Sequence, residues 1–552
     1  MLRLERLAVL HHALFIMVGV KAQFVATTAL LSGALLPFAR AAFEDTCAGL
    51  VDQLAIANTT IVSTVYYPNG GNVSYADTVD ASCLDDSISW ITVAADMCRV
   101  QLNVATSSRS GFMMEMFLPR NWTGRFLSTG NGGINGCIDY AKMGYATSLG
   151  FASTGTNNGH QGFNLTTALN NSDVVTDFSW RSLYTSSVVG KQITKDFYGA
   201  SHNKSYYLGC STGGRQGFQM AEQYPDAFDG IVAGSPAFNF DNLTSWSGAF
   251  HGKIAEAGTD GYPPESTWSA LDDALLSQCD GLDGAVDGII EDPMLCQFRP
   301  EALICASNTT NSSTCITGKQ AETARSIFEP VYGVDGSFVY PRLQPGPGLL
   351  ASTYSTYASA QFLYTDHWFK YVITQNPNLN TSIISPELMA QAWNMNPANI
   401  NVWSGDLTAF ADRGAKLLTY HGQQDPIISS EISNRYYDHA SRTMNKPSAE
   451  LDPFYRFFRI SGMEHCSGGP GATFIGNEGD AVASLDPSEN VLMAMVQWVE
   501  EGVAPETITG TAYVNQTKSL GEDFKRVHCR YPLRNRYTGT GDGKDTDGWE
   551  CV

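Results

Sequence analysis

The pentapeptide Gly209-Cys210-Ser211-Thr212-Gly213 constrains this chain more than any other stretch, because of what flanks it. Ser205-Tyr206-Tyr207-Leu208 precedes it, short, aromatic and suited to a strand. Residues 215–224 follow with helical spacing until Pro225 ends the run. A strand that turns at once into a helix, with glycines on either side of a serine, lets the backbone strain and the hydroxyl project. The sequence therefore predicts an α/β fold with Ser211 as a nucleophile. In a chain with 52 glycines five residues prove little without catalytic partners elsewhere in the sequence.

A serine nucleophile needs a base, and the base an acid to orient it. Ten histidines are available. In the α/β-hydrolase chain order the acid follows one strand and the histidine follows the next. His421 closes the strand-like run Ala415-Lys416-Leu417-Leu418-Thr419-Tyr420 and leads into Gly422-Gln423-Gln424-Asp425, which reads as the acid's loop with Asp425 as the acid. Asp412 precedes that strand and falls at the wrong end of the sheet. His465 follows an aromatic strand-like run over 454–460 and a Ser461-Gly462 turn, then enters a glycine-rich loop, which is the place of the base. Cys210 directly precedes Ser211, and Cys466 directly follows His465. A bond between these cysteines requires Cα atoms within about 7 Å and would hold Ser211 beside His465. It would close a loop long enough to stabilise by about 5 kcal/mol in the chain-entropy account. Twelve cysteines also permit other connectivities, and spacing alone does not choose among them.

On these residues the chain resembles the secreted tannase and feruloyl esterase family, whose mark is a Cys-Ser pair, an Asp, and a His-Cys pair with the two cysteines joined. The resemblance rests on Gly209-Cys210-Ser211-Thr212-Gly213-Gly214-Arg215-Gln216-Gly217, on His421-Gly422-Gln423-Gln424-Asp425 and on Gly462-Met463-Glu464-His465-Cys466, and it runs from about Cys47 to Cys551. It implies an α/β-hydrolase core with a large inserted lid, acting on phenolic-acid esters of the plant cell wall. Feruloyl esters come first and gallate esters, the substrates of a tannase, second. It also implies the pairs Cys47–Cys98 and Cys83–Cys137. Sequence proximity pairs Cys279 with Cys296, Cys305 with Cys315, and Cys529 with Cys551.

Length and charge agree with that class. A chain of 552 residues exceeds one ordinary domain, so a core plus an insertion is expected. We place the core at 42–240 and 405–552, and the insertion at 241–404. A formal charge of −21 repels nucleic acid and anionic membranes. The uncharged apolar run at 23–38, followed by Ala39-Arg40-Ala41, reads as a signal peptide over 1–41 with cleavage after Ala41, and Met17 is a competing start. That run is short of the roughly 20 residues of a spanning helix. Secretion suits both the even cysteine count and the N-x-S/T sequons from Asn58 to Asn515. Nothing sets an oligomeric state.

Two loops carry further chemistry. Cys279-Asp280-Gly281-Leu282-Asp283-Gly284-Ala285-Val286-Asp287-Gly288-Ile289 reads as a structural Ca²⁺ loop, with carboxylates from Asp280, Asp283 and Asp287 and carbonyls from Ala285 and Ile289. Three unneutralised carboxylates in one loop would otherwise repel each other. No organic cofactor is called for. Gly130-Asn131-Gly132-Gly133 follows a strand-like run, so the backbone N–H groups of Gly132 and Gly133, with that of Thr212, read as the oxyanion hole. In the insertion, Tyr354, Tyr357, Phe362, Tyr364 and Trp368 suit a phenolic pocket or a buried lid core equally. Two other classes remain: a peptidase using the same triad, and a catalytically silent secreted binding protein.

Overall fold

The computed structural model describes residues 32–84, 89–254, 258–306, 313–357 and 361–552. Most of the expected leader, including Met17, lies outside these residues, as does much of the stretch at 307–317. No described helix is long and apolar enough to cross a membrane.

Nine strands form the central sheet: β1 Thr59–Tyr67, β2 Met97–Ala105, β3 Gly111–Pro119, β4 Arg125–Thr129, β5 Phe151–Thr156, β6 Lys204–Cys210, β7 Gly230–Gly234, β8 Lys416–Gly422 and β9 Tyr455–Ile460. Their spatial order is β1-β2-β3-β5-β4-β6-β7-β8-β9. The pairs from β1 to β5 are antiparallel, and the five pairs from β5–β4 to β8–β9 are parallel. This is the α/β-hydrolase arrangement expected from the sequence. Strands of the parallel part must be covered on both faces, and they read accordingly: every residue of β5, β7 and β9 is buried.

Eight helices matter below: α1 Tyr140–Ser148, α2 Ser182–Tyr198, α3 Thr212–Gln223, α4 Phe240–Lys253, α5 Trp268–Cys279, α6 Pro386–Met395, α7 Glu431–Met444 and α8 Val491–Glu501. The apolar stripe of α8 lays Leu492, Met495 and Trp498 into one cluster with Leu208, Val232, Leu418 and Phe458. Burial of such side chains contributes about 1.5–3 kcal/mol each, which fixes β6, β8 and β9 as a rigid floor. Among the described residues, no strand of the main sheet falls between 241 and 404. The chain from Cys47 to Val552 packs as one compact unit. Six disulfides are formed: Cys47–Cys98, Cys83–Cys137, Cys210–Cys466, Cys279–Cys296, Cys305–Cys315 and Cys529–Cys551.

Candidate active site

Ser211 stands between the last residue of β6 and the first of α3, with φ 66° and ψ −124°. A non-glycine residue held there costs on the order of 1–3 kcal/mol, so the surroundings must impose it. The Ser211 N–H donates to the Gly234 carbonyl at 3.0 Å, and the Ala237 N–H donates to the Ser211 carbonyl at 3.0 Å. Gly214 permits the close approach, since a Cβ there would lie 2.2 Å from the Gly234 oxygen. The turn is thus clamped to β7 from both sides.

Asp425 lies three residues beyond β8, buried to 1% exposure. Its Oδ1 accepts from the N–H groups of Ile427 at 2.8 Å and Ile428 at 2.9 Å. Its Oδ2 accepts from His465 Nδ1 at 2.6 Å and from His421 Nε2 at 3.2 Å. His421 Nε2 also faces the Ile428 carbonyl at 3.2 Å, and its Nδ1 faces Ser433 Oγ at 2.7 Å. Both partners of Nε2 are acceptors, so a proton on that nitrogen serves the two of them. Burial opposes the charge on Asp425, yet the charge of His465 and the hydrogen bonds from both imidazoles outweigh it, and the carboxyl lies well below the usual range. Burial likewise opposes the imidazolium of His465, but Asp425, followed by Glu478, raises it above 6.5.

Cys210 and Cys466 are bonded, with Cα atoms 6.0 Å apart. The Cys466 carbonyl accepts from Asn477 Nδ2 at 2.7 Å, and that amide also reaches the Tyr420 hydroxyl at 3.0 Å, which ties the His465 loop to β8. Ser211 and His465 line one cavity of about 230 Å³, together with Cys210, Cys466, Lys142 and Glu478. Lys142 pairs with Asp139 at 2.7 Å and Glu478 at 3.1 Å. Also at Ser211 lies a narrow space of about 20 Å³, lined by Ala237, Phe240, Leu243, Phe362 and Ile428 among others. Gly133, Tyr364 and Ile427 border both. Thr212 Oγ1 donates to the Gly133 carbonyl at 2.6 Å. Gly133 has φ 49°, and a Cβ on it would fall 2.3 Å from Tyr364 Cζ. The first N–H groups of a helix have no partner within it, so the start of α3 beside Ser211 is a place for negative charge.

Residues 98–552 match the tannase and feruloyl esterase family. Over 510 residues the chain is 48% identical to a probable feruloyl esterase B-2 of Aspergillus oryzae, covering 92% of this chain and 96% of the relative. The chain belongs to the tannase and feruloyl esterase family. Within it, feruloyl esterase C of Talaromyces stipitatus is 47% identical over 92% of this chain and 95% of its own. The crystal structure of feruloyl esterase B from Aspergillus oryzae superposes with a TM-score of 0.88 at 46% identity, covering 92% of this chain and all of that one. A tannin acyl hydrolase of Aspergillus niger shares the fold, with a TM-score of 0.70 at 23% identity over 92% and 95%.

Sequence reasoning treated His421 only as part of the acid's loop and missed its bond to the acid. The four-residue spacing from His421 to Asp425 was the available signal. Of the five insertion aromatics, Phe362 and Tyr364 reach the cavities by Ser211. Tyr354, Tyr357 and Trp368 are fully buried instead. Trp368 donates from Nε1 to Asp241 at 2.8 Å.

In the acidic loop the carboxylates turn toward the backbone. Gly288 N–H donates to Asp280 at 3.1 Å, Ala285 N–H to Asp283 at 2.9 Å, and Ile289 N–H to Asp287 at 3.1 Å. Asp287 also pairs with Arg526, which holds Glu291 at 3.1 Å. The premise of three unneutralised carboxylates is thereby corrected: Asp287 has a cation of its own. Asp280 and Asp283 have no ion-pair partner among the described residues. Burial, then Glu291 and Asp287, push Asp283 up to about 6 against its backbone hydrogen bonds. The donors are the hard oxygens Ca²⁺ takes, but among the described residues no three His, Cys, Asp or Glu side chains are arranged to hold a metal.

Proposed function

We propose that this chain is a secreted serine carboxylesterase that cleaves esters of plant phenolic acids, a feruloyl esterase. The observation that carries the reading is the Cys210–Cys466 bond, which places the neighbours Ser211 and His465 on one cavity while His465 Nδ1 is already bonded to Asp425. The names of the relatives at 46–48% identity support the substrate class.

In this mechanism His465 donates from Nδ1 to Asp425, which leaves Nε2 free to take the Ser211 proton as Oγ attacks the ester carbonyl. Asp425 stabilises the imidazolium that forms. The N–H groups of Thr212, Gly133 and Gly132 receive the developing oxyanion. The alcohol leaves with the proton, and water repeats the sequence on the acyl-enzyme.

The apolar side of the cleft, with Phe240, Leu243 and Phe362, suits a cinnamoyl ring better than a trihydroxylated gallate. That side holds only about 20 Å³, so Tyr364 and Phe362 shift to admit an aromatic acyl group. Hydrolysis of methyl ferulate and methyl gallate by the wild type and by Ser211→Ala tests the reading. Faster turnover of the gallate, or activity that survives the substitution, would reject it. Extracellular location is supported by six disulfides. A structural Ca²⁺ held by Asp280, Asp283, Asp287 and the carbonyls of Ala285 and Ile289 is part of the same proposal. Its support is the donor chemistry, with Asp280 and Asp283 left without an ion-pair partner among the described residues.

A further inference from the structure

Helix α4 has two working faces. Phe240, Leu243 and Thr244 face the catalytic cleft. Asn242, with the preceding Asn239, lines a second and larger cavity of about 530 Å³, bounded also by Trp393 of α6, Phe338, Val334 and Asp335. A helix is about 10 Å across, so this groove lies one helix from the reacting centre. Its volume falls within the range of about 300–1,000 Å³ for ligand sites.

Its walls combine an apolar platform with amide and hydroxyl groups. Trp393 is 41% exposed and Phe338 39% exposed, although large aromatics are usually buried. Arg435 holds the Phe338 ring from 4.3 Å. Trp403, the rear wall, stacks on His439 at 5.3 Å. Asn239 is 7% exposed, and its side-chain Oδ1 has no hydrogen-bond partner in the protein.

We propose that this groove binds a neutral polysaccharide, a chain of pyranose rings, beside the cleft that cleaves the ester. A pyranose ring presents a C–H face that stacks on indole and a rim of hydroxyls that pairs with amides, which matches Trp393 among Asn239, Asn242 and Asn394. Asp335 and the net charge of −21 reject an acidic chain. Asn242 heads a sequon, but it is 8% exposed and inside a helix, so it serves as wall and not as a glycan anchor.

The test is affinity electrophoresis and calorimetry with arabinoxylan stripped of phenolic esters. Wild type is retarded by this polymer and not by polygalacturonate. Trp393→Ala weakens the binding about 10-fold or more, Trp393→Phe retains most of it, and both hydrolyse methyl ferulate within about two-fold of wild type. Because the polymer carries no ester, binding is read independently of the esterase assignment, which fails only in the ester assays. Absence of retardation in the wild type, or undiminished retardation of Trp393→Ala, overturns the proposal. So does a glycan found on Asn242 by peptide mass spectrometry, or a dimer that Trp393→Ala dissociates, which would give the groove to a second copy of the chain.

Discussion

At Asp425 one carboxylate oxygen receives two imidazoles, and that sharing sets the pH behaviour. His465 acts as a base only when neutral, and Asp425 with Glu478 holds its proton more firmly than burial releases it. The acid limb of kcat/KM is therefore expected above pH 6.5, with activity rising as the proton leaves; Glu478→Gln moves the limb to lower pH, and a pH–rate profile reads both. The stability that the charged His465 gains is present in full below 6.5 and lost as pH rises through its raised value. That of Asp425 is present above 3.8 and lost as pH falls through its depressed one. Asp425→Asn lowers kcat by about 10⁴-fold, and Ser211→Ala by at least that, both with small changes in KM under steady-state assay. Ser211, Asp425 and His465 were legible as candidates because each stands at or within a few residues of the end of a strand-like run. His421 was not legible as a contact, since pairing to Oδ2 depends on how the loop returns from Ile428.

Between elements, the contact of Gly133 with Tyr364 joins the loop after β4 to the insertion. Gly133→Ala brings a Cβ against the Tyr364 ring and into a left-handed backbone that costs roughly 1–2 kcal/mol. A fall of about 10²-fold in kcat/KM is expected, and Tyr364→Ala added to it restores part of the loss, as a double-mutant cycle will show. Replacing both Cys210 and Cys466 by Ala removes up to about 5 kcal/mol in the chain-entropy account; thermal denaturation measures this, and kcat falls because the His465 loop loses a tether. The sequence could name the insertion aromatics but not sort them. Whether Tyr357 or Tyr364 faces the cavity is decided by how helices pack, not by local spacing.

For the molecule as a whole, the succession of strand and serine, strand and acid, strand and histidine was readable, while the spatial order of the sheet, its antiparallel half and the helix-by-helix placement of the insertion were not. Arg526 shows why: it lies some 240 residues from Asp287 in sequence, yet it answers the charge of Asp287 and Glu291 in full burial. Arg526→Met leaves two buried carboxylates without their cation and destabilises by about 3–5 kcal/mol, measured by denaturant unfolding. For the Ca²⁺ proposed at Asp280, Asp283, Asp287, Ala285 and Ile289, chelation is expected to lower the melting temperature and added Ca²⁺ to restore it, whereas Mg²⁺ does not. The separation of 256 residues between Cys210 and Cys466 has a temporal side as well. The serine leaves the ribosome long before the histidine, so a nascent chain, or one cut short of His465, carries an inert alcohol, and hydrolysis waits for the second half of the polypeptide.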